Sequence, residues 1–160
     1  MSDWLDEKAI EFQSTQEHRR EREYRIGLNN YAIELRSKIE EVVARINSHA
    51  TWKPLLGSFP VKVSDTRDGY GHVIGYDVEW YGLPSVNIFL SHDPQTHVIN
   101  IKTIKVSKAG RKDAKSSKVP VVLLGDEVFL KVGEEVHLIP DAAAQFILEP
   151  LLEAIKEGSS

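Results

Sequence analysis

From Leu28 onward the apolar residues fall at Leu28, Ala32, Leu35, Ile39, Val42 and Ile46, alternately four and three apart, with Tyr31 and Val43 widening the stripe. That spacing gathers them on one face of an α-helix, whereas a strand would scatter them over both of its faces. The first fifty residues hold no proline and a single glycine, Gly27, so the helical reading extends back toward the N-terminus. There a shorter stripe, Leu5, Ala9 and Phe12, stands with Trp4 beside it. Continued at its own four-three spacing it arrives at Ile26, two residues out of phase with Leu28, a rotation of about 200° on a helix. Stripes so phased do not face one surface if the helix is straight. Gly27 followed by Asn29 and Asn30 is the expected place for a break, because glycine costs about 1 kcal/mol inside a helix. Two helices, or one helix touching two different things, both satisfy the pattern. The chain divides accordingly into an arm, 1–27, and a single α+β domain, 28–160.

Between the two stripes lies Gln16 to Arg25, QEHRREREYR, with four arginines against three glutamates. Glu17 with Arg20, Arg19 with Glu23 and Glu21 with Arg25 fall at helical neighbour spacings, each pair worth a few tenths of a kcal/mol when exposed. The stretch reads as a helical spacer with no face for the core.

After Pro54 the period changes to two. Phe59, Val61 and Val63 alternate with Pro60 and Lys62, Asp68-Gly69 signals a turn, and a long strand follows with His72, Ile74, Tyr76, Val78 and Trp80 on one face. Gly82-Leu83-Pro84 and Asp93-Pro94 turn the chain into two further strands. In the second of these Ile99 and Ile101 differ in parity from Ile104 and Val106, which predicts a bulge near Lys102 to Thr103. Ser107 to Lys118 has no apolar residue larger than alanine and reads as a mobile loop. Short strands follow, and Pro140-Asp141 opens a last helix, apolar around more than half its circumference, with a kink expected at Pro150. The expected fold is α+β: N-terminal helices, a curved antiparallel meander sheet of about six strands, and a C-terminal helix packed on one sheet face.

At 160 residues, 41% hydrophobic and 28% charged, the chain is long enough to bury one real core and too short for two. It has no cysteine, which excludes disulfides, thiolate metal sites and cysteine nucleophiles. Its beginning, MSDWLDEK, is acidic and carries no apolar run of membrane-spanning or signal-peptide length. A cytoplasmic location is expected, with no membrane contact. The net charge of −4 hides a contrast: residues 102 to 118 carry 7 basic side chains against Asp113 alone, whereas 126 to 160 carry 2 basic and 8 acidic.

The chemistry-bearing groupings are sparse. His92, Asp93 and His97 flank a turn and form a weak candidate metal set, with His72 on a neighbouring strand. Asp77 and Glu79 lie two apart on a polar strand face, which does not desolvate a carboxyl as acid-base work requires. Asp-Thr-Arg-Asp-Gly-Tyr-Gly from Asp65 lacks the alternate ligands and final glutamate of a calcium loop. No nucleophile elbow or phosphate loop is present, and no cofactor and no catalytic residue are assigned. What remains is surface. Trp4, Leu5 and Phe12 are the expected partner contacts of the arm; Lys108, Arg111, Lys112 and Lys115 are the expected electrostatic contacts. The function expected is non-enzymatic: an interaction protein that presents a helical arm and a basic loop to macromolecular partners, as a homo-oligomer, most simply a homodimer. One alternative is a small-molecule or enzymatic site in an apolar cavity between the sheet and the last helix, lined by Tyr76, Val78 and Trp80. The other is nucleic acid gripped by the 102–118 loop, which has no aromatic for base stacking.

Overall fold

The computed structural model describes residues 3–159. Helix α1 runs from Asp3 to Ser48 without interruption. A 3-10 turn (Lys53–Leu56) leads into seven strands: β1 (Lys62–Arg67), β2 (Val73–Trp80), β3 (Ser85–Asp93), β4 (Val98–Val106), β5 (Lys112–Leu124), β6 (Glu127–Val132) and β7 (Val136–Leu138); helix α2 (Pro140–Gly158) closes the chain. The strands lie in chain order and every neighbouring pair is antiparallel. The architecture is α+β, with seven strands rather than six.

Alternation decides which face is core. Val78 pairs with Ile88, Trp80 with Val86, Leu90 with Ile101, Ile99 with Val119, Val121 with Leu130. All ten side chains are buried on the face over which α1 and α2 lie side by side. Leu28, Tyr31, Leu35, Ile39, Val43 and Ile46 supply the buried stripe of α1. Ala143, Ile147, Leu151, Ala154 and Ile155 are among those supplied by α2, which continues through Pro150. Such amphipathic packing, more than propensity, holds both helices.

Three local expectations are corrected. The helix does not break at Gly27; a Cβ there would stand 2.9 Å from Val128 Cγ2, so the glycine lets α1 approach β6 closely. No bulge interrupts β4, whose register runs unbroken against both neighbours. Ile104 and Val106 are simply on the outer face, opposite Asn87 and Ser85 of β3. The 107–118 segment is not a loop but the end of a long hairpin. Ser107 to Arg111 make its turn, closed by Ser107 N–H to Arg111 O at 2.9 Å with Gly110 at φ +83°, and Lys112 to Lys118 belong to β5.

One side chain ties α1 to the sheet as a strand would. Asn47 Nδ2 donates to Val61 O and its Oδ1 accepts from Val61 N–H, both at 2.9 Å, and Val61 is buried. An Asn47→Ala chain leaves both backbone groups unpaired and is expected to lose about 2 kcal/mol of unfolding free energy in urea titration.

Candidate functional site: the helical arm and the surfaces around it

From Asp3 to Glu23, every residue of α1 but the half-buried Gln16 is exposed. At 1.5 Å per residue this is a rod of roughly 30 Å. Trp4, Leu5 and Phe12 are 66%, 65% and 64% exposed, and Ile10, not singled out by the spacing, is 65% exposed. Asp3 and Asp6 lie in the first turn, where they face the positive end of the helix dipole. Lys8–Glu11 and Arg25–Glu21 are ion-paired at 3.3 and 2.8 Å.

The arm is rooted at Tyr24, one turn before the first fully buried residue. Its hydroxyl donates to Val121 O, and its ring meets the His97 imidazole edge-on, centroids 4.2 Å apart. Burial raises the Tyr24 pKa above the ordinary phenol value. The QEHRREREYR segment therefore does have one core-facing residue. The signal was available, since Tyr24 stands one helical turn before Leu28, but the surrounding charges masked it.

His97 has φ +56° and serves the turn after β3: its N–H donates to Asp93 O at 3.0 Å and its carbonyl accepts from Val121 N–H at 2.9 Å. Asp93 Oδ1 accepts from Gln95 N–H at 2.9 Å, which holds its carboxyl below the usual range. Among the described residues no three histidine or carboxylate side chains converge as metal ligands; Asp93 and His97 shape the turn, His97 meets Tyr24, and His92 lies in β3 opposite Ile99. Asp77 accepts from Thr66 Oγ1, and Glu79 accepts from Asn87 Nδ2 and Tyr81 Oη at 2.8 and 2.6 Å. These two carboxylates are tied into the outer sheet face.

The basic residues do not share one surface. Lys108 and Arg111 lie in the hairpin turn. Lys112 follows on the outer face opposite Val106, and Lys115 on the inner face opposite Thr103. The inner-face Lys105 is ion-paired with Glu157 of α2 at 2.5 Å. Period-two alternation splits what looks like one cluster in sequence.

Val78 and Trp80 are solid core, 0% and 2% exposed, and Trp80 Nε1 donates to Leu56 O at 3.2 Å. Tyr76 borders a hollow that lies against α1, whereas the hollow between the sheet and α2, lined by Val86, Ile101, Lys105, Phe146 and Ile147, is walled by none of that trio. The hollow beside α1 has a volume of about 420 Å³, with Ile33, Arg36, Val73, Ile74, Tyr76 and Pro94 in its wall. Arg36 bridges Glu40 at 2.9 Å and Asp65 at 2.6 Å, and lies 4.9 Å from the Tyr76 ring centre.

The chain matches no protein-family model, no curated protein and no solved structure. Among the described residues no helix is long and apolar enough to cross a membrane.

Proposed function

We propose that the protein is an interaction module and not an enzyme, with the arm as its docking element, another copy of the chain as its simplest partner, and the basic hairpin end as a second, electrostatic contact. One observation carries this reading: an unbroken helix leaves its own domain for about 30 Å with Trp4, Leu5 and Phe12 about two-thirds exposed. Large apolar side chains grouped on such an exposed helix mark a contact surface. Because the helix is continuous, the tip cannot fold back onto its own sheet.

Light scattering tests it. The full chain is expected to have a mass above that of the monomer, falling to the monomer in Trp4→Asp and Phe12→Asp chains. At concentrations low enough for the parent itself to be monomeric, their urea midpoints should match the parent's, because both side chains are exposed. A mass identical in parent and variants would remove the arm from the function.

A second reading has the hollow beside α1 behind it. Its apolar wall, in which Arg36 is already paired with Glu40 and Asp65, suits a small apolar ligand.

A further inference from the structure

Six large apolar side chains of α1 are exposed: Trp4, Leu5, Ile10, Phe12, Ile26 and Ile33. Four of them, Leu5, Phe12, Ile26 and Ile33, stand on a strict seven-residue repeat whose middle member is Arg19. Ala9, Gln16, Glu23 and Asn30, each four residues after a member of that repeat, complete a four-three pattern from Leu5 to Ile33. Five of these nine positions, Leu5, Ala9, Phe12, Ile26 and Ile33, are apolar; apolar residues in step with a 3.5-residue period mark the seam of a left-handed coiled coil, and a seam needs a second helix. At 100° per residue, Ile26 and Ile33 lie about 150° around the axis from the Leu28, Leu35 and Ile39 stripe. The seam thus points away from the buried stripe of α1, with Ile33 at its end also bordering the hollow beside Tyr76, and a helix laid along it leaves both domains on the outside.

We propose that a second copy of the chain covers this seam, the two α1 helices running parallel and in register as a two-stranded coiled coil. The proposal rests on the reading of the arm as a docking element and adds its partner, its orientation and the residues Ile26, Asn30 and Ile33 beyond the arm. In this arrangement every apolar layer meets itself, at Leu5, Phe12, Ile26 and Ile33. Asn30 meets Asn30, the kind of polar layer that fixes register in paired helices at some cost in stability. Arg19 meets Arg19 and Glu23 meets Glu23 in the same way, but the two layers are successive, so each Arg19 also lies beside Glu23 of the other copy and the opposite charges offset the like ones. An antiparallel pair over the same span sets Phe12 against Glu23 or Asn30 instead. The polar middle, Gln16 to Glu23, keeps the pair weak and concentration-dependent.

The absence of cysteine makes the test direct. Single-cysteine chains Phe12→Cys, Ile26→Cys and Ser14→Cys are oxidised mildly and resolved by mass. Same-residue disulfide dimers are expected at 12 and 26 but not at 14, which lies on the opposite side of the helix. In sedimentation, Arg19→Glu should raise the dimer dissociation constant about tenfold, a 1.4 kcal/mol change, and adding Glu23→Arg should restore it. An assembly that dissociates in Phe12→Asp yet gives no same-residue links overturns the parallel seam and leaves the arm as a docking element. A chain monomeric to about 1 mM overturns self-association altogether, and with it the seam.

Discussion

A Trp80→Ala chain should unfold with about 3–5 kcal/mol less free energy than the parent. Trp80 is 2% exposed at the end of β2, on the inner face. Two glycines make room for its indole: a Cβ on Gly82 would stand 2.1 Å from the ring, and one on Gly158 at the end of α2 would stand 3.3 Å from it. The backbone has been shaped around this side chain at two separate places, so little can collapse into the space it leaves. Truncation also removes the donor to Leu56 O, leaving a buried residue's carbonyl without that partner. In a chain of this size the loss corresponds to a melting point lower by roughly 6–20 °C. Urea unfolding followed by circular dichroism measures it, and a loss below about 1 kcal/mol would show that the slot is not filled tightly. The same substitution at Trp4, 66% exposed, should leave the domain's stability alone.

The contrast between these two tryptophans shows what was legible in the sequence. Periodicity located the stripe of α1, the inward Tyr76–Val78–Trp80 face and the apolar α2, because each of those patterns is imposed by burial. It did not find the strand from Lys112 to Lys118, where all seven residues are exposed and only backbone pairing with β4 makes a strand. A ladder of backbone hydrogen bonds has no side-chain signature. The parity change at Ile104 invited a bulge because apolar residues were assumed to face inward; an uncovered outer face admits them too. Gly27 has a helix-breaking propensity, yet its local cost of about 1 kcal/mol is offset where absence of a side chain lets α1 and β6 meet. The candidate surfaces divide in the same way. Phase separated Leu5 and Phe12 from the face of Leu28 but left open whether they pack elsewhere on the sheet; their exposure goes with the continuity of α1 through Gly27. The splitting of Lys112 from Lys115 required knowing that the segment is extended. The hollow beside Tyr76 depends on the path of α1 across the sheet, which no local pattern encodes.

Raising the pH should weaken the fold from about pH 10 upward, through its inward tyrosines. Tyr31 is 3% exposed, and its hydroxyl donates to Leu138 O at 2.8 Å; burial pushes its pKa well above the ordinary phenol value. Tyr76, half-buried on the wall of the hollow, is raised by burial as well, with Arg36 opposing. A raised folded-state pKa means that the unfolded chain gives up its proton first. The stability from keeping these phenols neutral is fully present below the unfolded value of about 10 and is lost as the pH climbs toward the folded values. The slope is up to about 1.4 kcal/mol per pH unit for Tyr31, and smaller for Tyr76 because water still reaches it. Urea titrations from pH 8 to about 11.5, spanning the unperturbed phenol value, should show flat stability followed by a decline. Tyr76→Phe should flatten part of that decline. Tyr31→Phe should flatten more of it, while lowering stability at pH 8 by about 1 kcal/mol for the lost hydrogen bond. Stability flat to pH 11 in the parent would mean that Tyr31 ionises in the folded chain as readily as in the unfolded one, and that the contact between α1 and β7 is open to water.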